Sequence, residues 1–171
     1  MKNKEIITKR LTLAPFRKDD KDALAAILSD EELSRTYMVP DLSSEQAKEN
    51  VFSRFYRFSH TEDRYAYGVY LDGALIGAIH EVDRENGCVE VGYFIDPKKK
   101  GRGYATEALC AFSDLLFSSG FEEVCAAAFE ENAASFRVME KSGMKKTGKT
   151  EEIEYRGKTH LCIYYSVKKN S

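Results

Sequence analysis

Hydrophobic and polar positions alternate at the start of the chain and then repeat with a helical period. The stretch Ile6–Phe16 (IITKRLTLAPF) alternates and predicts a strand. The next stretch predicts a helix whose N-cap is Asp19 or Asp20. Its apolar residues fall on one face and are Ala23, Leu24, Ile27 and Leu28.

A second predicted helix and three strands follow. The helix has Ser43 and Gln46 at capping-box spacing, and along one stripe it carries Val51, Phe55 and Phe58. Three segments come next, RYAYGVYL, ALIGAIHEV and CVEVGYFID, which the turns Asp72–Gly73 and Glu85–Gly87 separate. Because Gly tolerates the positive φ of tight hairpin turns, these segments predict an antiparallel meander.

The second half of the chain alternates between helix and strand. A clear helical period begins near Tyr104 and ends at Gly120, and a short buried strand, EEVCAAAF, follows. A short helix is capped by Asn132, and the tail predicts strands over about 144–150 and 159–167. A strand–helix–strand unit implies a crossover and a parallel pair. The fold class is therefore α/β (α+β), a mixed sheet with helices on both faces.

Length and composition narrow the classes of protein. The 171 residues favour a single domain over 1–171, with 43% hydrophobic and 32% charged residues. A net charge of −2 argues against a general nucleic-acid binder. No stretch approaches the roughly 20 apolar residues of a membrane span. The first ten residues lack the apolar run of a signal peptide, so we expect a cytoplasmic protein.

The cysteines and histidines show no ligand spacing, so we expect no metal site. We expect the cysteines to be buried free thiols in a reducing compartment; they are Cys88, Cys110, Cys125 and Cys162. We expect the histidines to be structural or exposed; they are His60, His80 and His160.

A glycine-rich loop lies directly before the helix that begins near Tyr104. Unpaired N–H groups and the helix dipole make such a terminus positive, and glycines let a ligand approach the backbone. These features predict an anion site, most naturally for phosphate, to which the nearby cations add attraction: Lys98, Lys99, Lys100 and Arg102. The alternative is turn geometry beside a solvated lysine run. The patterns of the P-loop and of dinucleotide binding are absent.

Four stretches resemble motifs of one family. Lys100–Ala105 (KGRGYA) is similar to the acetyl-CoA signature of the GNAT superfamily, Gln/Arg-x-x-Gly-x-Gly/Ala, with Lys in the first position. The letters TEAL and the stretch NAASFRVMEKSGM resemble its Rim-type branch, with Met144 where Phe is usual. TKRLTLAPF, with Ala14 where Arg is common, and EVGYFIDP resemble the first and fourth strands of that branch.

This resemblance implies a fold, a reaction and a set of binding residues. The fold has about seven strands and about four helices, and it splays between the fourth and fifth strands. The reaction is direct transfer of an acetyl group from acetyl-CoA, as co-substrate, to a primary amine, either a protein N-terminus or a small amine. The residues expected to bind acetyl-CoA are Tyr93, Phe94, Ile95, Lys100, Gly101, Arg102, Gly103, Tyr104, Ala105, Thr106, Asn132 and Ser135.

The same resemblance suggests catalytic groups. Glu90 is the candidate base, although it could instead face solvent on its strand, and a water chain or a later glutamate could replace it: Glu151, Glu152 or Glu154. An N–H of Tyr93 or Phe94 would stabilise the oxyanion, with a bulge permitted at Gly92. Ser135 would protonate the departing thiolate, or it is an ordinary residue of a helix first turn.

The sequence leaves open which amine is the acceptor and allows more than one function. The resemblance places the acceptor pocket at Ser34–Leu42 and at the acidic hairpin Thr150–Lys158. The alternative function is a non-catalytic acetyl-CoA-binding regulatory or interaction module of the same fold. A nucleotide-phosphate binder is disfavoured by the motif spacing. Neither the acceptor amine nor the choice between monomer and homodimer follows from the sequence.

Overall fold

The computed structural model describes residues 4–170. These residues form one central sheet of eight strands. The strand order is β1-β2-β3-β4-β5-β6-β8-β7, and every neighbouring pair is antiparallel except β5 and β6. The strands are β1 (Ile6–Ile7), β2 (Leu11–Ala14), β3 (Ala66–Leu71), β4 (Ala74–Glu85), β5 (Cys88–Ile95), β6 (Glu123–Phe129), β7 (Lys145–Tyr155) and β8 (Lys158–Lys168). The predicted mixed, mostly antiparallel sheet is confirmed.

Helices cover both faces of this sheet. They are α1 (Lys21–Leu28), α2 (Glu31–Thr36), α3 (Glu45–His60), α4 (Tyr104–Ser118) and α5 (Ala133–Lys141). α1 and α3 pack through Leu24 and Phe55 against Phe94 of β5. α4 and α5 pack through Phe112 and Met139 on the opposite face. Each face therefore has its own apolar core.

The described part of the chain has one more strand and one more helix than predicted. The single strand expected over 6–16 is a small hairpin, because the Thr8 hydroxyl accepts from the Leu11 amide at 3.0 Å and turns the chain between β1 and β2. The extra helix, α2, is capped by Asp30, whose side chain accepts from the Glu32 amide. At only six residues, α2 is too short to show a helical period in the sequence.

One predicted helix cap is wrong, and another is right in position but makes no capping bond. Ser44 rather than Ser43 caps α3, and its Oγ accepts from the Ala47 amide at 3.0 Å. Asp20 stands at the N-cap of α1, yet its side chain makes no capping bond there. Its carboxylate accepts instead from the Tyr70 hydroxyl at 2.5 Å, a contact between distant parts of the chain.

The parallel pair β5 and β6 separates part-way along its length. Pairing covers Cys88–Glu90 of β5 and ends where Glu90 lies opposite Cys125. Beyond that point β6 continues to pair with β8 as far as Phe129, while β5 continues to pair with β4 as far as Ile95. The sheet therefore opens between β5 and β6. Because the predicted first strand is the pair β1 and β2, these are the fourth and fifth predicted strands, where the family resemblance places the splay.

The cysteines are free, but their expected burial is only partly right. Cys162 is buried, Cys88 and Cys125 are partly buried, and Cys110 is exposed. Cys110 lies on α4 between the buried Leu109 and the partly buried Ala111, where the helix turns its side chain away from the core. Within residues 4–170, no helix has both the length and the apolar character to cross a membrane.

Candidate active site

The loop between β5 and α4 carries two exposed glycines. Gly101 and Gly103 have φ of 75° and 81°, a left-handed conformation that residues with a Cβ adopt only with strain. α4 begins at Tyr104, and no side chain of the described residues caps its first turn. The first turn of α4 therefore has no side-chain cap that would compete with an anion for its N–H groups.

A clamp between the β1–β2 turn and α4 holds this loop. Glu107 accepts from the Thr8 hydroxyl at 2.6 Å and from the Arg10 amide at 2.7 Å. The Arg10 guanidinium donates to Glu107 at 2.8 Å and to the carbonyl oxygen of Arg102 at 2.8 Å. Sequence reasoning missed this role, although Thr8, Arg10 and Glu107 all lie in the quoted motifs. Two distant motifs therefore serve one purpose, which is to fix the loop.

The loop lysines contribute less than their number suggests. Lys100 forms an ion pair with Glu32 of α2, and both side chains are more than half exposed. The Lys98 amide donates to Asp96, and the Lys98 side chain is exposed. Because exposed charges interact weakly through water, we expect the lysines to add little to any anion binding by the loop.

A cleft of about 700 Å³ continues from the loop into the gap between β5 and β6. It is bounded by α5 on one side and by the end of α2 on the other; its lining includes Tyr37, Tyr93, Ala127, Asn132 and Ser135. The direction of the β5 amides follows from a bond at the end of this strand, where the Asp96 N–H donates to the Ile76 carbonyl oxygen of β4 at 2.7 Å. Since backbone groups alternate in direction along a strand, the Tyr93 N–H points into the gap and the Phe94 N–H towards β4.

Three polar side chains meet where α5 begins. Asn132 is the predicted cap, and its Oδ1 accepts from the Ser135 amide at 3.1 Å. The Ser135 Oγ lies 2.9 Å from the hydroxyl of Tyr93, which reaches across from β5. Burial raises the pKa of the Tyr93 phenol to about 12, while the hydrogen bond to Ser135 opposes that rise. Sequence reasoning considered only the backbone of Tyr93 and missed its hydroxyl.

Comparison with known proteins identifies the architecture. The family model of the acetyltransferase (GNAT) domain matches residues 10–145, which is well over half of the chain. The chain belongs to the GNAT acetyltransferase family. It is 27% identical to the uncharacterized N-acetyltransferase YoaA of Bacillus subtilis over 157 residues, which cover 89% of each protein. It is therefore an acetyl-CoA-dependent acetyltransferase.

Solved structures of GNAT proteins show the same fold. A GNAT-family acetyltransferase from Bacillus anthracis superposes with a TM-score of 0.82 at 24% identity, covering 96% of this chain and 98% of that one. RimL, a ribosomal L7/L12 alpha-N-protein acetyltransferase solved with coenzyme A, superposes with a TM-score of 0.83 at 17% identity, covering 96% and 98%. At these identities the similarity shows the fold alone.

Glu90, the base expected from the GNAT resemblance, lies beside a second cavity of about 380 Å³. This cavity lies on the face of β5 that carries Glu90 and Gly92, and Gly92 also lines the main cleft. Burial raises the pKa of the Glu90 carboxyl above its usual range, whereas nearby Lys149 opposes the shift. Glu90 is thus partly buried beside a cavity, not fully solvent-facing.

The rival glutamates of the last hairpin differ in their surroundings. Glu151 accepts from the Tyr164 hydroxyl at 2.8 Å, so it is held by a partner on β8. Glu152 and Glu154 are exposed on β7. Among these glutamates and Glu90, Glu90 alone lines either of the two cavities described above.

The two segments expected to form the acceptor pocket of a GNAT enzyme contact each other. The Tyr155 hydroxyl donates to the carbonyl oxygen of Ser34 at 2.9 Å and accepts from the Val39 amide at 3.2 Å. Arg156 donates to the Ser34 hydroxyl at 3.1 Å. The final hairpin is therefore held against α2 and the chain that follows it.

A partly buried histidine lies behind one wall of the cleft. His80 Nδ1 is 3.0 Å from the Glu81 carbonyl oxygen, which can only accept, so Nε2 is the acceptor for the Tyr37 hydroxyl at 3.2 Å. Burial lowers the pKa of His80 and keeps the ring neutral. His80 is thus structural, as expected, although it fixes a tyrosine that lines the cleft.

Gly92 has a different purpose from the one expected. The irregularity in this pair of strands lies on β4, between Glu81 and Asp83, and not at Gly92. A Cβ at position 92 would lie 3.2 Å from the His80 ring and from Val82. Gly92 therefore leaves room for side chains of β4 and does not create a bulge in β5.

Proposed function

We propose that this chain transfers the acetyl group of acetyl-CoA to a primary amine, and that the favoured acceptor is a protein N-terminus. The observation that carries the proposal is the continuous path from the glycine loop, through the gap between β5 and β6, to Ser135 at the start of α5. An anion site at one end and an open strand edge at the other suit a long ligand with a pyrophosphate and an extended arm.

The residues of the loop fit this co-substrate. The amides of the loop and of the first α4 turn, from Gly101 to Thr106, would hold the pyrophosphate. The backbone of Gly101 is open to a ligand. If a Cβ were added to Gly101, no other atom would lie within 4 Å of it. Asn132 would donate its amide nitrogen to the pantetheine arm while its oxygen caps α5.

The strand edge would stabilise the reaction at the acetyl group. The Tyr93 N–H faces the gap and would donate to the carbonyl oxygen as negative charge gathers there. Such a donor, fixed by the sheet, needs no reorganisation during the reaction. Ser135, at the far wall of the cleft, would give a proton to the departing sulfur.

Glu90 would accept the proton that the amine loses through water, since it lines the second cavity and not the main cleft. At pH 7 roughly a tenth of an α-amino group with pKa ~8 is unprotonated, against well under 1% of a lysine amine with pKa ~10.4. A partly buried carboxylate is therefore sufficient for an N-terminal amine. This is the physical reason to favour a protein N-terminus over a lysine side chain.

The acidic second cavity also suits an acceptor that carries positive charge. Its lining contains four carboxylates and one ammonium group: Asp83, Glu85, Glu90, Glu123 and Lys149. RimL, whose fold this chain shares, is described as an alpha-N-protein acetyltransferase. The charge of this cavity and the fold of RimL together support a peptide amine as the acceptor.

The test is an amine panel with acetyl-CoA, read by release of the free thiol and by mass spectrometry that locates the acetyl group. Peptides beginning with Ala, Ser and Met should be acetylated at the α-amine, and the same peptides with a blocked N-terminus should not. Turnover with polyamines or aminoglycosides alone would assign a small-amine acceptor. Tight acetyl-CoA binding without any turnover would instead assign a non-catalytic module.

A further inference from the structure

We propose that the Tyr37 ring holds the acceptor amine in the main cleft, and that His80 is a positioning residue that fixes this ring. This role rests on the acetyl transfer proposed above, and it assigns residues to the acceptor side of the cleft. Tyr37 directly follows α2 and lines the cleft together with Gly92 and Phe94 of β5. An aromatic ring therefore faces any ligand that enters from this side.

The main cleft is lined from both faces of the sheet. Side chains alternate along β5, so Gly92 and Phe94 lie on one face and Tyr93 on the other. Phe94 packs with α1 and α3, and the ring centroids of Tyr37 and Phe94 are 4.9 Å apart, edge to face. On the opposite face, the Tyr93 hydroxyl contacts Ser135 of α5. A co-substrate held by the glycine loop and α5 would occupy that face, which leaves the Tyr37 face for the amine.

One side-chain hydrogen bond fixes the Tyr37 ring. The Tyr37 hydroxyl donates to His80 Nε2 at 3.2 Å, since His80 Nδ1 donates to the Glu81 carbonyl oxygen at 3.0 Å. Burial raises the pKa of the Tyr37 phenol, so the hydroxyl keeps the proton that it donates. The Tyr37 N–H donates to the Leu33 carbonyl oxygen at 2.9 Å. Both ends of the tyrosine are therefore held before any ligand binds.

A glycine on β5 makes room for this arrangement. A Cβ at Gly92 would lie 3.2 Å from two atoms of the His80 ring. His80 also packs edge to face against Phe55 of α3, with ring centroids 5.6 Å apart. The histidine is thus enclosed between β5 and α3, and its Nε2 is directed at the tyrosine that lines the cleft.

The chemistry of the arriving group suits an aromatic ring. About nine tenths of an α-amine with pKa ~8 is protonated at pH 7, so the acceptor arrives mainly as an ammonium ion. The face of a tyrosine ring attracts such a cation. Glu90 lies on the same face of β5 as Gly92, so the group that would take the proton through water is on the amine side. Tyr37 and His80 act by binding alone, and no bond to either changes.

Tyr37→Ala tests the ring, and His80→Leu tests the bond that fixes it. With a peptide that begins with Ser, we expect Tyr37→Ala to raise KM for the peptide about tenfold, a size typical of a lost cation–π contact. KM for acetyl-CoA should stay within about twofold of the parent. His60→Leu is the matched control for His80→Leu, because His60 stacks on Tyr56 at 4.1 Å and lines neither cavity.

Tyr37→Phe and the double variant Tyr37→Phe/His80→Leu separate positioning from a loss of stability. Tyr37→Phe breaks the same hydrogen bond from the other side and keeps the ring, so it serves if His80→Leu fails to fold. Because both changes remove one bond, the double variant should raise KM for the peptide no more than the worse single variant. Additive effects on this KM would overturn the role of His80.

A second readout does not depend on turnover. The chain has three histidines, so nitrogen-15 NMR can resolve their rings, and His80→Leu assigns the His80 signals. We expect the proton on Nδ1, and the Nε2 signal should shift in Tyr37→Phe, which lacks the donor. Calorimetry with free CoA at saturation measures binding of the Ser peptide, which should be weaker in Tyr37→Ala and unchanged in His60→Leu.

The outcomes separate this proposal from the proposed function. Peptide KM and peptide affinity within about twofold of the parent in Tyr37→Ala would overturn the role of Tyr37, as would a rise in KM for acetyl-CoA alone. A proton on His80 Nε2 would overturn the role of His80. If the parent acetylates no amine, the proposed function fails, yet calorimetry and NMR still decide whether Tyr37 holds the peptide and whether His80 holds Tyr37.

Discussion

Replacing Gly103 by Val should weaken acetyl-CoA binding more than removing the nearest lysine charge. Gly103 has a φ of 81° and immediately precedes the first residue of α4. A left-handed backbone costs a residue with a Cβ about 1–2 kcal/mol, and a β-branched residue is a more severe case. The Cβ would also lie 3.3 Å from Arg10 Nη2, in the clamp that holds the Arg102 carbonyl.

The expected size of the effect follows from that strain. A loop that relaxes in the free enzyme must return to the left-handed conformation when it binds the pyrophosphate. A binding cost of about 1–2 kcal/mol raises KM roughly 5- to 30-fold, since 1.4 kcal/mol is a factor of ten. Lys99→Ala removes a partly exposed charge, for which about 0.2–1 kcal/mol predicts a change below about fivefold.

The assay is initial-rate kinetics with varied acetyl-CoA, supported by calorimetry of the same variants. Gly73→Val is the matched control, because Gly73 has a φ of 82° in the turn between β3 and β4 and no atom lies within 4 Å of its notional Cβ. It should lower the free energy of unfolding without changing KM. A larger KM for Lys99→Ala than for Gly103→Val would refute the reasoning and assign the binding to side-chain charge.

Two further predictions concern carboxylates. In the parent, kcat/KM should fall as pH drops through the raised pKa of Glu90, because only the carboxylate accepts a proton. The pH profile of Glu90→Gln should lack this decrease. Superimposable profiles of parent and variant would exclude Glu90 as the base. Glu107→Gln should lower Tm at pH 7. Burial alone would raise the pKa of Glu107, but hydrogen bonds from Thr8 and Arg10 lower it below its ordinary value. The Glu107 carboxylate therefore stabilises the folded protein fully above the pKa of the unfolded chain, about 4.3, and this stabilisation disappears as pH falls through the lower pKa of the folded protein. The Tm difference should therefore narrow in acid, and equal Tm values at pH 7 would contradict the clamp.

Local patterns predicted the elements that carry a strong periodic signal. The stripe of α4, the cap at Asn132 and the hairpin signals at Asp72–Gly73 and Glu85–Gly87 each depend on a few neighbouring residues, so they can be read from the sequence. The β1–β2 hairpin and α2 were missed because each is too short to repeat a period. The sequence predicts Ser43 as the cap of α3, whereas the structure has Ser44. Two adjacent serines have the same capping chemistry, so only the path of the backbone into the helix decides between them.

One part of the candidate site can be predicted from the sequence, and another part cannot. The glycine loop could be found from the sequence because its conformation is local and its residues are consecutive. The clamp of Arg10 on Glu107, the hydrogen bond between Tyr93 and Ser135, and the contact of Tyr155 with Ser34 could not. Each joins residues 42 to 121 positions apart, and no periodicity links such positions.

The sequence by itself determined the class of fold, the anion-binding loop and the family, because these depend on periodicity, on glycines at fixed positions and on motifs of consecutive residues. Only the tertiary structure decided which side chains line the cleft between β5 and β6. The direction of a strand edge and the distance between two hydroxyls depend on how β5, β6 and α5 pack together. That packing opens the gap in which Tyr93 lies beside Ser135.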